Sequence, residues 1–457
     1  MRFRLYCKDL DGEAVFYYDN STGLLHRDDG SPVGNPRADL GDYQQAVQVH
    51  PMYQPIRKHN APRVLKIQFG LSCNYSCSYC LQKAVDRPDQ ASLAGLPGFL
   101  EKVRTFLTGA PDVVQLWGGE PLVYIKPIRA LTAELKRIYP NAMFTMVTNG
   151  SLLSPEINDW IMENDIAIAL SHDGPGQSFR GPDPFEEEHR GAHIRDLYWR
   201  KKKAGKPMSV GAMIHAQNYD RAKVAAWLIE KFDDADIVIG EGSFIDVYDA
   251  TTMMNCPSSD REHVEIRKVA LDNIRRKADR NFITSRQRMS EWLTTMIEGR
   301  MLASLGMKCG MDQADTLTVD LAGNVLTCQN TSSVAFAPNG QPHRSGSIEA
   351  IDDVQVRTST HFAYRRTCLN CPVVQVCKGG CMYLEGKLFE KSCENMYTDH
   401  VPYLAAAVEA LTGLEVVYIE DEANLLPESR RDLFGLYRGS GADPYRRRGS
   451  RQLNVLP

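Results

Sequence analysis

The chain has 457 residues, of which 43% are apolar and 24% are charged, and its formal net charge is −4. This composition is ordinary for a soluble globular protein and does not by itself indicate a polyanion partner. No stretch reaches the roughly 20 apolar residues of a membrane span, and Met1–Cys7 lacks the apolar core of a signal peptide. We therefore expect a cytoplasmic protein of about two or three domains, with no membrane partner.

Two short strand-like runs open the chain. Residues 2–6 and 15–18 are rich in aromatic and branched side chains, and Asp11-Gly12 between them is a hairpin signal. Residues 1–60 are therefore predicted to form a β-rich lead-in.

From about residue 63, strand and helix patterns alternate. We predict strands at 64–69, 113–117, 143–148, 166–171, 208–215 and 237–239, with helices at 93–107, 125–138, 155–164 and 221–231. This alternation implies an α/β fold with a parallel sheet and right-handed crossovers, either open or closed. Two further helical segments, 258–281 and 285–304, would bridge to a cysteine-rich region.

Three cysteines, Cys73, Cys77 and Cys80, follow the first strand of this alternating region. They supply three thiolates where an iron–sulfur cubane usually has four, which leaves one iron open to a small molecule. A structural zinc site would need a fourth ligand, and the nearest histidines, His59 and His172, are far away in sequence. A disulfide with a spare thiol would need an oxidising compartment, which nothing in the sequence indicates.

Short polar motifs follow the next three strands. Gly118-Gly119-Glu120 ends the second strand, Thr148-Asn149-Gly150 the third, and Ser171-His172-Asp173 the fourth. Ligands of parallel sheets bind at these carboxyl ends, and glycines let the backbone approach a ligand closely. Ordinary turn chemistry is the alternative for the last two motifs, since Asn-Gly and Asp-Gly favour turns.

A second set of cysteines lies in the C-terminal third. Thirteen residues separate Cys309 from Gly323, which begins a GxxxxC motif ending at Cys328, and four closely spaced cysteines and a final one follow: Cys368, Cys371, Cys377, Cys381 and Cys393. Twelve cysteines in a chain without a secretion signal indicate metal or redox chemistry. A zinc ribbon is the alternative for the CxxC pairs.

The CxxxCxxC spacing and the Gly-Gly-Glu motif resemble the radical S-adenosylmethionine (SAM) superfamily, and the later cysteines resemble its SPASM extension. The resemblance covers about residues 64–400 and implies a partial (β/α)6 TIM-like barrel followed by a cysteine-rich SPASM domain. The implied units are a lead-in at 1–60, a core barrel at 61–257, a helical bridge at 258–305, the SPASM domain at 306–400, and a helix with an arginine-rich tail at 401–457.

The resemblance also implies the cofactors and their ligands. Cys73, Cys77 and Cys80 would hold a 4Fe-4S cluster whose open iron binds S-adenosyl-L-methionine. Residues implied to contact this SAM are Tyr79, Gly118, Gly119, Glu120, Asn149, Ser171, Asp173 and Arg180. One or two auxiliary 4Fe-4S clusters are implied, the first on Cys309, Cys328 and Cys381, and the second on Cys368, Cys371, Cys377 and Cys393.

Three positions depart from the sulfatase-maturing branch of the superfamily. Asp315 stands where that branch has an eighth cysteine, so the first auxiliary cluster is one ligand short. Either Asp315 ligates the cluster, or one iron stays open for the substrate, or a distant residue such as Cys256 supplies the missing ligand. Gln329 replaces the aspartate that acts as base in that branch, and Trp117 replaces a glutamine before the glycines. Glutamine cannot take a proton in that role, so the sequence does not assign a catalytic base.

Three functions from different classes fit the sequence. The first is hydrogen abstraction from a peptide or protein (aminoacyl) side chain, giving a modified, cross-linked or isomerised product. The second is a radical isomerase acting on an amino-acid-modified nucleobase, such as hypermodified thymidine in phage-type DNA. Seven arginines between Arg430 and Arg451 fit contacts with phosphate, and a solvated, disordered terminus is the alternative interpretation of this run. The third is a non-enzymatic iron–sulfur protein. The two enzymatic hypotheses imply a flavodoxin- or ferredoxin-like reductant as a partner.

Overall fold

The computed structural model describes residues 1–9, 12–45, 56–87, 93–309, 312–337, 340–356, 360–382 and 384–436, without the side chains of 241–243. Its strands are β1 (Arg2–Lys8), β2 (Glu13–Asp19), β3 (Leu25–His26), β4 (Val64–Gln68), β5 (Val113–Trp117), β6 (Met143–Thr148), β7 (Ala167–Ser171), β8 (Ser209–Ile214), β9 (Ile239–Phe244), β10 (Thr316–Asp320), β11 (Asn324–Leu326), β12 (Arg344–Ser347) and β13 (Glu415–Asp421). Its α-helices are α1 (Leu96–Phe106), α2 (Ile125–Ile138), α3 (Pro155–Glu163), α4 (Glu188–Lys203), α5 (Arg221–Phe232), α6 (Asp260–Arg275), α7 (Ile283–Glu298), α8 (Arg366–Leu369), α9 (Val374–Cys377) and α10 (Gly386–Thr412). None of the helices in these ranges is long and apolar enough to cross a membrane.

The main sheet has nine strands in the order β12-β11-β10-β4-β5-β6-β7-β8-β9. Strands β4 to β9 pair in parallel and in chain order, with α1 to α5 between them. Strand β10 adds to the other side of β4, also in parallel. The six alternating strands confirm the predicted α/β class. The predicted strands and helices match closely, except at the sixth strand.

The two faces of this sheet carry different residues because side chains alternate along a strand. Leu65 and Ile67 of β4 are buried in the main hydrophobic core together with Phe99 and Leu131 of the helices. Lys66 and Gln68 therefore lie on the opposite face, which we call the inner face. The functional loops follow the carboxyl ends of the strands that form this face.

The sixth barrel strand differs from its prediction. The sequence predicts a strand at 237–239, whereas β9 runs from Ile239 to Phe244. Its interior carries Gly240 and Gly242, and glycine weakens a strand because it loses more entropy and packs no side chain. Parallel pairing with β8 therefore stabilises this segment as a strand, although its own sequence has little strand preference.

The first three strands and β13 form a second sheet, with the order β13-β1-β2-β3. Strand β13 pairs antiparallel with β1, with Phe3 opposite Asp421. The lead-in is thus joined to residues near the other end of the chain. Helix α10 runs across residue 400, where the sequence analysis placed a domain boundary. Most of the arginine-rich tail, residues 437–457, lies outside the described residues.

A buried ion cluster ties the barrel helix α5 to the later helices α7 and α10. Asp399 of α10 accepts a hydrogen bond from Arg221 at 2.6 Å and pairs with Arg288 at 3.0 Å. All three side chains are at most 5% exposed. Burial alone would raise the pKa of Asp399, but the two guanidinium groups outweigh it and hold the pKa below its usual range.

Replacing Asp399 tests this connection between the units. Asp399→Asn removes the charge that offsets two buried guanidinium groups, and breaking a buried pair costs about 3–5 kcal/mol of unfolding free energy. Asp39→Asn is the matched control, because Asp39 pairs with Arg37 on the surface with both side chains more than half exposed. Anaerobic denaturant titration should show a large loss of unfolding free energy for Asp399→Asn and almost none for Asp39→Asn. Equal losses would contradict the account.

Candidate functional site

The loop after β4 carries the first three cysteines. Cys73 is exposed, whereas Cys77 and Cys80 are half-buried. The loop turns tightly, with the amide of Tyr75 donating to Cys73 Sγ at 3.4 Å and that of Cys80 to the carbonyl of Cys77 at 3.2 Å. Burial raises the pKa of the Cys77 thiol to about 12; Arg180 opposes this shift, and the two neighbouring thiols add to it. The three thiols thus lie on one short loop, and their role as ligands of one cluster stays a prediction.

The glycine motif after β5 is held against this loop by backbone hydrogen bonds. The amide of Gly119 donates to the carbonyl of Gly70 at 3.0 Å, and the amide of Glu120 to that of Ser72 at 2.9 Å. A Cβ on Gly119 would lie 2.4 Å from the carbonyl oxygen of Ser72 and 2.5 Å from that of Leu71. The close contact therefore requires glycine at position 119.

Tyr124 also holds the cysteine loop, and the sequence analysis did not identify it. Its hydroxyl accepts a hydrogen bond from the amide of Ser72 at 2.8 Å. Gly70 has a φ of 141°, and a Cβ there would lie 2.5 Å from the same hydroxyl. Tyr124 ends the short 3-10 helix that follows Glu120, and no motif marks it as a functional residue.

Glu120 joins the ends of β5 and β6 from a buried position. Its side chain is 2% exposed and accepts hydrogen bonds from the amide of Asn149 at 2.7 Å, the hydroxyl of Thr148 at 2.6 Å and the amide of Leu122 at 3.0 Å. Burial raises the pKa of this carboxyl group, and the three hydrogen bonds oppose the shift. The carboxylate thus fixes the two strand ends relative to each other.

The side chain of Asn149 contacts the cysteine loop. Its amide nitrogen donates to Asn74 Oδ1 at 2.9 Å, and its oxygen accepts from the hydroxyl of Ser151 at 2.7 Å. Asn74 donates in turn to the same hydroxyl at 2.8 Å. Asn149 therefore links the third strand end to the loop, through two residues that the sequence analysis did not single out.

Asp173, Arg180 and Tyr79 form one buried network. Asp173 is fully buried and accepts hydrogen bonds from Arg180 at 2.8 Å, from the amide of Met213 at 2.9 Å and from the Tyr79 hydroxyl. The guanidinium of Arg180 lies 5.7 Å from the centre of the Tyr79 ring, and its Nε has no hydrogen-bond partner among the described residues. These three predicted residues are thus brought together next to the cysteine loop.

The other two residues of the fourth motif lie in different surroundings. Ser171 is half-buried at the end of β7. His172 is fully buried, stacks on Trp227 at 4.6 Å and contacts Asp183 at 3.1 Å. Burial lowers the pKa of His172, so the ring is neutral near pH 7.

In the C-terminal region, five cysteines line a single cavity: Cys368, Cys371, Cys377, Cys381 and Cys393. Gly379 and Gly380, between two of them, have φ values of 78° and 65°, which favour glycine. Burial raises the pKa of Cys368, and the thiols of Cys377, Cys393 and Cys371 raise it further. Four of these five are the cysteines that the resemblance assigns to the second auxiliary cluster, and that assignment stays a prediction.

Cys381 lies between this group and the remaining cysteines. Its sulfur is 2.6 Å from the hydroxyl of Tyr248. Burial raises the pKa of Tyr248, and Cys381 and then Cys328 raise it further. Cys309 is exposed, and its charge acts on the pKa of Cys328. The assignment of Cys309, Cys328 and Cys381 to a first cluster stays a prediction.

The two candidates for a further ligand have other contacts. Asp315 pairs with Arg63 at 3.8 Å, and the sulfur of Cys256 accepts a hydrogen bond from Asn395 at 3.2 Å. Across the described ranges, no three His, Cys, Asp or Glu side chains are arranged to hold a metal ion. Thiol groups around one cavity fit the chemistry of iron–sulfur clusters, which take thiolate ligands.

The fold is similar to solved structures of radical SAM proteins. One is anSMEcpe, an anaerobic sulfatase-maturating enzyme, with bound AdoMet: the TM-score is 0.53 at 18% identity, over 75% of this chain and 98% of that chain. A second, anSMEcpe with bound AdoMet and Cp18Cys peptide, has a TM-score of 0.52 at 17% identity, over 77% of this chain and 99% of that chain. At these identities the likeness is one of fold. It confirms the predicted fold class, a partial barrel with a cysteine-rich C-terminal region.

Shorter similarities connect the chain with characterised proteins. It is 24% identical over 151 residues to the radical SAM cyclopropyl synthase TigE of Paramaledivibacter caminithermalis, over 27% of this chain and 32% of that protein. It is 29% identical over 115 residues to the GTP 3',8-cyclase of Stenotrophomonas maltophilia, over 24% of this chain and 33% of that protein. The chain thus spans about a third of these curated relatives. No family model matches the chain. The predicted resemblance to radical SAM enzymes is confirmed.

Adding one methyl group to the glycine motif tests whether it holds the cysteine loop. Gly119→Ala would force the backbone at Leu71 and Ser72 to shift, which moves the thiols. In the SAM-cleavage reaction proposed below, formation of 5'-deoxyadenosine should fall on the order of 10²-fold, the cost of a displacement near 1 Å. Gly98→Ala is the control, because a Cβ there meets nothing within 4 Å. Full activity and full iron content in Gly119→Ala would refute this role.

Proposed function

We propose that this protein is a radical SAM enzyme that abstracts a hydrogen atom from an unactivated carbon of an aminoacyl substrate, of the kind found in peptides and proteins. One observation carries the proposal. The loop with three thiols is clamped by backbone hydrogen bonds to the Gly118-Gly119-Glu120 motif, at the carboxyl ends of parallel strands. The similarities to radical SAM proteins in fold and in sequence support it.

The side chains fit a cluster and SAM as bound groups. Cys73, Cys77 and Cys80 would hold a 4Fe-4S cluster with one iron left for SAM. When bound, the cluster would supply the one-electron chemistry that cleaves the sulfonium of SAM and leads to loss of a hydrogen atom from the substrate. Such chemistry belongs to the cofactor, while the protein orients the reacting carbon and excludes side reactions.

Arg180 is the group best suited to bind the carboxylate of SAM. Its Nη2 is engaged by Asp173, whereas its buried Nε has no partner among the described residues. An unpaired buried donor is costly, and a carboxylate would satisfy it. Asp173 keeps the guanidinium oriented, and the ring of Tyr79 beside it offers a face for an adenine.

The aminoacyl substrate is supported by relatives rather than by a bound molecule. One of the anSMEcpe structures contains a peptide, Cp18Cys. A modified nucleobase is the other enzymatic candidate. Its sequence support is the arginine-rich tail, most of which lies outside the described residues. In a non-enzymatic iron–sulfur protein, the missing fourth thiolate and the Gly118-Gly119-Glu120 motif would serve no purpose. A flavodoxin- or ferredoxin-like protein would supply the electron.

Anaerobic reconstitution with SAM and dithionite tests the reaction. The native protein should form 5'-deoxyadenosine, and Cys73→Ala should form none that is measurable above the background. Cys7→Ala is the control, since Cys7 is a buried thiol of the second sheet, 1% exposed. Formation of 5'-deoxyadenosine by Cys73→Ala at the native rate would refute the proposed cluster. With candidate substrates present, deuterium transfer to 5'-deoxyadenosine would identify the molecule that loses hydrogen.

A SAM titration tests the role of Arg180. Arg180→Met removes the buried guanidinium that we propose pairs with the SAM carboxylate. Loss of one partner of such a pair costs at least about 2 kcal/mol of binding free energy, so the Kd for SAM should rise at least about 30-fold. Arg190→Met is the control, because Arg190 pairs with Glu187 at a side-chain exposure of 37%. An unchanged Kd in Arg180→Met would show that another group binds the carboxylate.

A further inference from the structure

A lysine on the inner face of the barrel contacts no acidic side chain that the structure describes. Lys66 is half-buried on β4, and its ammonium group donates to Gln329 Oε1 at 3.1 Å. No carboxylate lies within 4.0 Å of it among the side chains that the structure describes. An ammonium group has three donors and a full charge, and the neutral amide of Gln329 satisfies only one of the donors.

Lys66 contacts the segment that follows Cys328. Gln329 directly follows Cys328, and the charge of Lys66 acts on the pKa of the Cys328 thiol. Gln68, two residues along β4, donates to the backbone carbonyl of Gln329 at 2.8 Å. On the other side, Gln82, near Cys80, donates to Asn330 Oδ1 at 3.2 Å. The segment that follows Cys328 thus contacts Lys66 and Gln68 of β4 on one side and Gln82, close to Cys80 in sequence, on the other.

Two more polar groups on the same face have no partner. The indole Nε1 of Trp117 and the hydroxyl of Thr145 are buried and make no hydrogen bond among the described residues. Trp117 stands opposite Gln68 in the pairing of β4 with β5, and Thr145 stands opposite Gln115 in the pairing of β5 with β6. Since Gln115 is itself opposite Lys66, all these groups lie on neighbouring strands of the inner face. Buried donors without partners are costly unless a ligand satisfies them.

We infer that Lys66, Gln329, Trp117 and Thr145, which we call the Lys66 patch, bind a carboxylate of the substrate. The inference rests on the proposed function, and it specifies the substrate as one with a free carboxylate. The charge comes from Lys66, and Gln329, Trp117 and Thr145 add neutral donors. An aspartate at position 329, as in the sulfatase-maturing enzymes, would neutralise Lys66. Glutamine leaves its charge available to the substrate.

The competing role for Lys66 is to offset the negative charge of the Cys328 thiolate. That role predicts a shifted reduction potential for the auxiliary cluster in Lys66→Met, together with unchanged binding of a carboxylate. If the Lys66 patch binds the carboxylate, Lys66→Met should lose this binding. Measuring both quantities on the same samples separates the two roles.

The test uses N-acetylglycine and its amide, N-acetylglycinamide, with cluster-loaded protein and SAM but no reductant. We expect saturation-transfer NMR to show binding of the carboxylate at least about tenfold tighter than the amide, as a charge-assisted contact requires. Lys66→Met should remove this preference and Lys66→Arg should keep it. Lys223→Met is the control, because Lys223 is 78% exposed on α5. Equal binding of the two probes to the native protein, or native binding in Lys66→Met, would overturn the inference.

A second variant leaves Lys66 in place. Gln329→Glu puts a carboxylate beside the ammonium group, and this internal anion should lower the affinity for N-acetylglycine at least about tenfold with unchanged iron content. Unchanged affinity in this variant would also overturn the inference. Because no reductant is present, these results do not depend on SAM cleavage. A failure here is therefore distinguishable from a failure of the proposed function.

Two larger probe pairs identify the source of the carboxylate. One is a tripeptide ending in glycine, and the other is 5-(carboxymethylaminomethyl)-2'-deoxyuridine, each compared with its own amide. A carboxylate preference that depends on Lys66 should occur in the tripeptide pair if the substrate is a peptide, and in the nucleoside pair if it is a modified base. Absence of the preference from both pairs would count against the patch.

Discussion

Backbone hydrogen bonds between the cysteine loop and the glycines after β5 are the constraint on which the site depends. The carbonyls of Gly70 and Ser72 accept from the amides of Gly119 and Glu120, and no side chain fits at position 119. The three thiols are thereby fixed relative to the sheet before any metal binds. A cluster with one open iron needs this order, because a loose loop could fold a different group onto the vacant position.

The buried acids of the site act as internal connectors. Glu120 accepts three hydrogen bonds from the protein, and so does Asp173. Each therefore joins elements that would otherwise move independently, at the ends of β5 and β6 and around β7 and β8. We propose that the groups that contact a ligand are the three thiols, the unpaired Nε of Arg180 and the donors of the Lys66 patch. Glu120 and Asp173 thus hold the ligand-contacting groups in a fixed geometry, and a fixed geometry lowers the barrier of the reaction.

Much of this could be predicted from sequence, because the signals are local. The cysteine spacing, the glycine motif and five of the six barrel strands come from short patterns with the correct bounds to within a few residues. Strand β9 was placed wrongly because its glycines carry no strand signal, and only pairing with β8 orders them. The pairing of Phe3 with Asp421 joins residues that no local pattern relates. Tyr124 and Asn74 were missed because their roles come from contacts with the folded loop rather than from a motif.

We propose that an iron at Cys73, Cys77 and Cys80 lacks a protein ligand and binds SAM directly. The sharpest test is electron–nuclear double resonance on the reduced protein, with SAM labelled by 15N at the amino group and 17O at the carboxylate. Both labels should show hyperfine coupling to the cluster. A reduced cluster at these cysteines that shows no coupling to either label would contradict this proposal.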